Sequence, residues 1–122
     1  MLLIDSHCHL DFPEFDADRE AVIAHSQALG VEKMLVVGIT RQHWPRLWDL
    51  VNSHPNLYGA LGLHPYFLHK HQDSDIQALA EQLQRYHLHP KLCAVGEIGL
   101  DFFLPDLDRQ HQIHLFEQQV AL

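Results

Sequence analysis

Four short, nearly unbroken apolar runs limit what this chain can become: MLLIDSH (1–7), EKMLVVGI (32–39), LYGALGLH (57–64) and KLCAVGEIG (91–99). Strands with one wet face alternate apolar and polar residues. Runs without alternation mark strands covered on both faces, as in a parallel sheet flanked by helices. Each run is followed by a polar turn and a stretch of helical spacing, and successive runs begin about thirty residues apart, the length of a βαβ unit.

The intervening stretches carry the helical pattern. Val22, Ile23, Ser26 and Leu29 share one face, with Gly30 as the stop. Trp44, Leu47, Trp48 and Val51 follow, with Pro45 acceptable in a first turn. Ile76, Leu79, Ala80 and Leu83 repeat the spacing below a cap at Asp73 or Ser74. Ile113, Phe116 and Val120 begin a fourth helix, with Asp106 or Asp108 upstream. These apolar residues are core. The order β-α-β-α-β-α-β-α fits an open doubly wound sheet or part of a (β/α)8 barrel. No G-x-G-x-x-G or Walker-type loop follows any strand, which weakens the nucleotide-binding sheet.

At 122 residues the chain holds one domain. Its formal charge of −8 argues against a protein that coats nucleic acid through Lys and Arg. An enzyme that handles phosphates through bound cations stays open, because the cations reverse the local charge. Cys8 and Cys93 form no disulfide framework, so a reducing compartment is the simpler reading. Asp5 interrupts the first apolar run before it reaches signal-peptide length, and no later run is long enough to span a membrane. The expectation is a cytoplasmic protein.

In both candidate folds, function collects beyond the C-terminal ends of the strands. That rule sorts the three His-x-His pairs among twelve histidines. His7 and His9 close the first strand, where a period of two aims both imidazoles one way and Cys8 the other. His69 and His71 fall in the loop after the third strand and are expected to be solvated. His87 and His89 precede the fourth strand, on the opposite face, and are not ligands. The third strand ends at His64 and the fourth at Glu97, with Asp101 just beyond. Imidazole with carboxylate suits Zn2+, Mn2+ or a similar divalent ion, so His7, His9, His64, Glu97 and Asp101 form a candidate metal-hydrolase site.

The segments DSHCHLDFP, GLHP and AVGEIGLDFF, in this order, resemble the TatD family of metal-dependent deoxyribonucleases over essentially the whole chain. The DFP continuation (Asp11, Phe12, Pro13) is similar to its YjjV-type members. The resemblance implies a TIM-like barrel of the amidohydrolase superfamily with two divalent ions (Zn, Mn or Mg) at its mouth. It places His7 and His9 on one ion and Glu97 between the two. It sets His64 beside the scissile phosphate, Asp101 at an outer or substrate-side position, and Arg109 as a brace of the mouth. The implied reaction is phosphodiester hydrolysis at the 3′ ends of DNA.

A whole barrel takes about 250 residues. The chain therefore reads as the N-terminal half, about four of eight units over residues 1–122, interrupted in the helix after strand 4, where FEQQVAL ends without a cap. Two alternatives accompany this reading. One is an inert half-barrel or a subunit that needs a partner chain, prone to self-association through exposed edge strands. The other is an amidohydrolase-like enzyme acting on amide or ester bonds.

Overall fold

The computed structural model describes residues 1–122. Four strands form one sheet: β1 (Leu3–Cys8), β2 (Val31–Val37), β3 (Leu57–Leu61) and β4 (Leu92–Val95). All neighbours are parallel and the order is β1-β2-β3-β4. A doubly wound sheet reverses its strand order partway; this one steps in a single direction, as a barrel does. The fold is a partial, TIM-barrel-like α/β structure with β1 and β4 as its edges.

The helices α1 (Arg19–Ala28), α2 (Trp44–Ser53), α3 (Asp73–Tyr86) and α4 (Arg109–Val120) follow their strands in turn. The core lies between sheet and helices: Met34, Val36, Leu57 and Leu61 meet Ile23, Trp44, Leu47, Val51, Leu79 and Leu115. The other sheet face is open. Ile4, Ser6, Leu35, Tyr58 and Cys93 line a trough there.

The α2 stripe lies where its spacing places it. In α1 the expected side faces inward: Ile23 is buried and Val22 packs against the core, and Leu29, past the end of the helix, is 67% exposed. The face of α4 is rotated from expectation. In α4 the buried residues are Gln112, Leu115 and Gln119, while Val120 points outward. Gly30 ends α1 with φ +98°, a left-handed conformation that glycine adopts without cost. Asp108 caps α4, accepting from the amides of Gln110 and His111. Ahead of α3, Gln72 donates its amide to Asp75 Oδ2, so the cap belongs to Gln72 and Asp75 rather than to Asp73 or Ser74. No helix is long and apolar enough to cross a membrane.

The buried glutamines of α4 act as substitute strands. Gln119 accepts from the Leu63 amide at 2.7 Å and donates to its carbonyl at 3.1 Å. Gln112 does the same for Asp101, at 2.9 and 2.8 Å. Each satisfies both backbone groups of a residue beyond a strand, Leu63 two residues past β3 and Asp101 six past β4, where the sheet ladder has run out. Gln119→Ala should leave two buried groups unpaired, at about 1–3 kcal/mol each, and the denaturant midpoint should fall without a change in the slope.

Candidate metal centre

The site begins with an irregularity in β1. Asp5 pairs with Met34 and Cys8 with Val36, so β1 advances three residues while β2 advances two. Such a bulge inserts one residue and reverses the alternation beyond it. Ile4 and Ser6 face the open trough. Strict alternation would add Cys8 to them, yet Cys8 packs against the helix-side core and donates its thiol to the Leu35 carbonyl. Burial pushes that thiol up to about 12, leaving it unreactive. His7 and His9 are thereby turned together, ring centroids 5.2 Å apart.

Glu97 is the hub of the cluster. Its Oε2 lies 3.2 Å from His7 Nε2 and 3.7 Å from His9 Nε2, and its Oε1 lies 2.9 Å from His64 Nε2. Ligand atoms of His7, His9 and Glu97 all fall within 4.8 Å of one another. Two imidazoles and one carboxylate match the His2Glu type of protein donor set.

His64 has a different job from the other two. Its Nδ1 accepts from the Tyr66 amide at 3.0 Å, which places the ring proton on Nε2. The ring is therefore a donor to Glu97 Oε1, not a third imidazole ligand. Asp101 and Arg109 stay outside the cluster. The Asp101 carboxylate accepts from the Phe103 amide, and the Arg109 guanidinium lies 5.1 Å from the Phe102 ring centroid.

The mouth is stitched by backbone. Glu97 donates its amide to Gly38, Gly96 to Leu61 and His64 to Ile39, at 2.8–2.9 Å. Trp44 Nε1 donates to the Gly62 carbonyl at 3.0 Å. A Cβ on Gly62 would meet Gly96 C at 2.6 Å and Glu97 N at 2.9 Å, so only glycine lets the third strand approach the peptide that carries Glu97. After β1, Arg19 holds the Leu10 and Phe12 carbonyls, and Arg46 Nε donates to the Asp11 carbonyl. The sequence reading did not single out these two arginines. Arg19 follows the loop closely, but Arg46 lies 35 residues from Asp11, so only the fold brings the two together.

His71 is not a solvated loop residue. It is 9% exposed, and its Nε2 donates to the His64 carbonyl at 2.8 Å. Burial holds its pKa below the usual imidazole value. A depressed histidine favours the neutral form in the fold, so the unfolded chain takes up the proton first and stability falls as pH drops. Acid should therefore lower the thermal midpoint from about pH 6.5 downward, and His71→Gln should flatten that part of the profile.

The cluster of imidazole and carboxylate lies at the C-terminal edge of a barrel-type parallel sheet, where barrel enzymes carry their active sites. The chain belongs to the TatD family: the family described as TatD related DNase matches residues 4–122. It is 40% identical over 119 residues to the metal-dependent hydrolase YjjV of Escherichia coli, spanning 98% of this chain and 45% of that protein. It is 30% identical over 121 residues to the 3′-5′ ssDNA/RNA exonuclease TatD of Erwinia tasmaniensis, spanning 98% of this chain and 45% of that protein. The crystal structure of E. coli YjjV superposes with a TM-score of 0.91 at 39% identity, over 98% of this chain and 45% of that one. A TatD-family hydrolase of Entamoeba histolytica, at 18% identity and TM-score 0.84, shares the fold. The chain spans less than half the length of these relatives.

Proposed function

We propose that these 122 residues are the N-terminal half of an eight-unit barrel that hydrolyses phosphodiester bonds at the 3′ ends of single-stranded nucleic acid. The observation that carries this reading is the grouping of His7, His9 and Glu97 within 4.8 Å, with His64 as a donor on the other carboxylate oxygen. His7, His9 and Glu97 Oε2 would hold one divalent cation. A second cation would share Glu97 and would need further ligands from the other half of the barrel. Bound cations supply Lewis acidity toward a phosphoryl oxygen and a lowered pKa for water. His64 supplies a proton donor beside that oxygen, its Nε2–H fixed by the Tyr66 amide. The exonuclease relative supports the substrate class, and the charge of −8 suits engagement of strand ends at a cation-filled mouth better than wrapping of duplex.

The test is metal content and turnover of the purified 122-residue chain. About one divalent ion per chain is expected, lost in the His7→Ala/His9→Ala variant, with little shortening of a 5′-labelled oligonucleotide. Robust metal-stimulated 3′ shortening, abolished by Glu97→Ala, would show instead that one half holds a complete centre. The open edges β1 and β4 and the uncovered trough should also make the chain self-associate, visible as concentration-dependent sedimentation.

A further inference from the structure

Two buried polar groups beside the site lack partners, and each offers what the other needs. Asp11 is 1% exposed, and neither carboxylate oxygen has a hydrogen-bond partner. His9 Nδ1, two residues earlier, is also buried and unpartnered. A carboxylate buried without a partner is costly, and so is a buried ring N–H. The groups whose charge reaches the Asp11 carboxyl are the imidazoles of His9 and His43 and the guanidinium of Arg46. Arg46 spends its Nε on the Asp11 carbonyl and an Nη on Asp16. His43 Nδ1 is taken by Thr40 Oγ1 at 2.7 Å. Solvent can serve the remaining N–H groups of these two, because Arg46 is exposed and His43 Nε2 is not among the buried unpartnered atoms. That leaves His9 Nδ1 as the buried nitrogen nearby that has no partner.

We infer that Asp11 is a positioning residue that accepts the Nδ1–H proton of His9 through one bridging water and so holds Nε2 unprotonated and aimed at the metal position. The reasoning rests on the metal reading above. A metal-bound imidazole nearly always gives its second N–H to a carboxylate or carbonyl, which fixes both tautomer and ring angle. The surroundings fit this duty. Phe12 lies 4.7 Å from the His9 ring and limits its tilt, while Arg19 and Arg46 fix the backbone on both sides of Asp11. The 3.7 Å from His9 Nε2 to Glu97 is too long for a hydrogen bond, so nothing in the cluster competes for a proton at Nε2.

The experiment is long-range 1H–15N correlation on the metal-free 122-residue chain with 15N-histidine, at about pH 8, above the imidazole range. His9 should be the Nδ1–H tautomer, and this needs neither a variant nor a metal. A His9 found as Nε2–H overturns the inference. The second arm titrates Zn2+ alone. Asp11→Asn keeps an acceptor and should bind within a few-fold of the parent, whereas Asp11→Leu should lose about 10- to 100-fold in affinity and the Nδ1–H preference. A folded Asp11→Leu chain with parental tautomer and affinity overturns it too. If the parent binds no Zn2+, the metal reading fails while the tautomer result still decides the role of Asp11.

Discussion

Glu97→Gln should lower divalent-cation affinity by more than about 100-fold, exceeding the roughly 10- to 100-fold that loss of an outer-shell partner costs. Glu97 is the only carboxylate in the cluster, and its two oxygens face three imidazoles. The amide keeps its shape and loses its charge, so a neutral trio replaces a set with one anion for a dication. The side chain is 27% exposed, so the fold itself should tolerate the change, with an unaltered circular dichroism spectrum. His64→Gln is the informative companion. His64 touches only Oε1 and carries its proton on Nε2, so its loss should leave the first cation's stoichiometry intact. Isothermal titration with Zn2+ or Mn2+ separates the two. Equal losses would mean that His64 is a ligand.

Gly62→Ala should damage the same site without touching a ligand. The added Cβ meets backbone at 2.6–2.9 Å, below any contact real Cβ atoms make, and backbone cannot swing aside as a flexible side chain can. Overpacking of this kind costs about 1–3 kcal/mol. Here the strain falls on the Gly96–Glu97 peptide, so thermal midpoint and cation affinity should drop together. Gly96→Ala is the control for space. Its Cβ meets only Ala60 Cβ, at 3.5 Å, an ordinary contact. Gly62→Ala with parental affinity would show that Glu97 is positioned by its own side chain rather than by its peptide.

Much of this arrangement is legible in the amino-acid order, because the deciding signals are apolar ones. Unbroken strands of Val, Leu and Ile announce a parallel sheet, and their ends locate His7, His9, His64 and Glu97. The covering they lead one to expect on both faces is present only on the helix side, since Ile4 is 70% exposed on the other. Where polar residues do the packing, periodicity misleads. The inward face of α4 is set by Gln112 and Gln119, whose amides finish backbone that the sheet leaves unpaired. Counting apolar residues therefore turns that helix toward Val120. His71 reads as a loop residue because nothing local reveals the His64 carbonyl it bonds. Asp11 is named from sequence only through the DFP resemblance, because nothing local reveals its burial. Gly62 is legible only through a peptide some thirty-five residues away, since a close approach between chain segments leaves no mark on either alone.

The bulge in β1 makes the chemistry of the mouth a matter of counting. Between Asp5 and Cys8 one surplus residue decides whether the strand end offers nitrogen or sulfur. Were that residue taken up into regular pairing instead of bulging, strict alternation would return Cys8 to the side of Ile4 and Ser6 while sending His7 toward the helices. A soft thiolate would then stand where a borderline imidazole stands now, favouring Cu(I) or an iron–sulfur cluster over the ions that act on phosphate. The choice of element in this site is thus written less in which residues the strand contains than in how many lie between two of its hydrogen bonds.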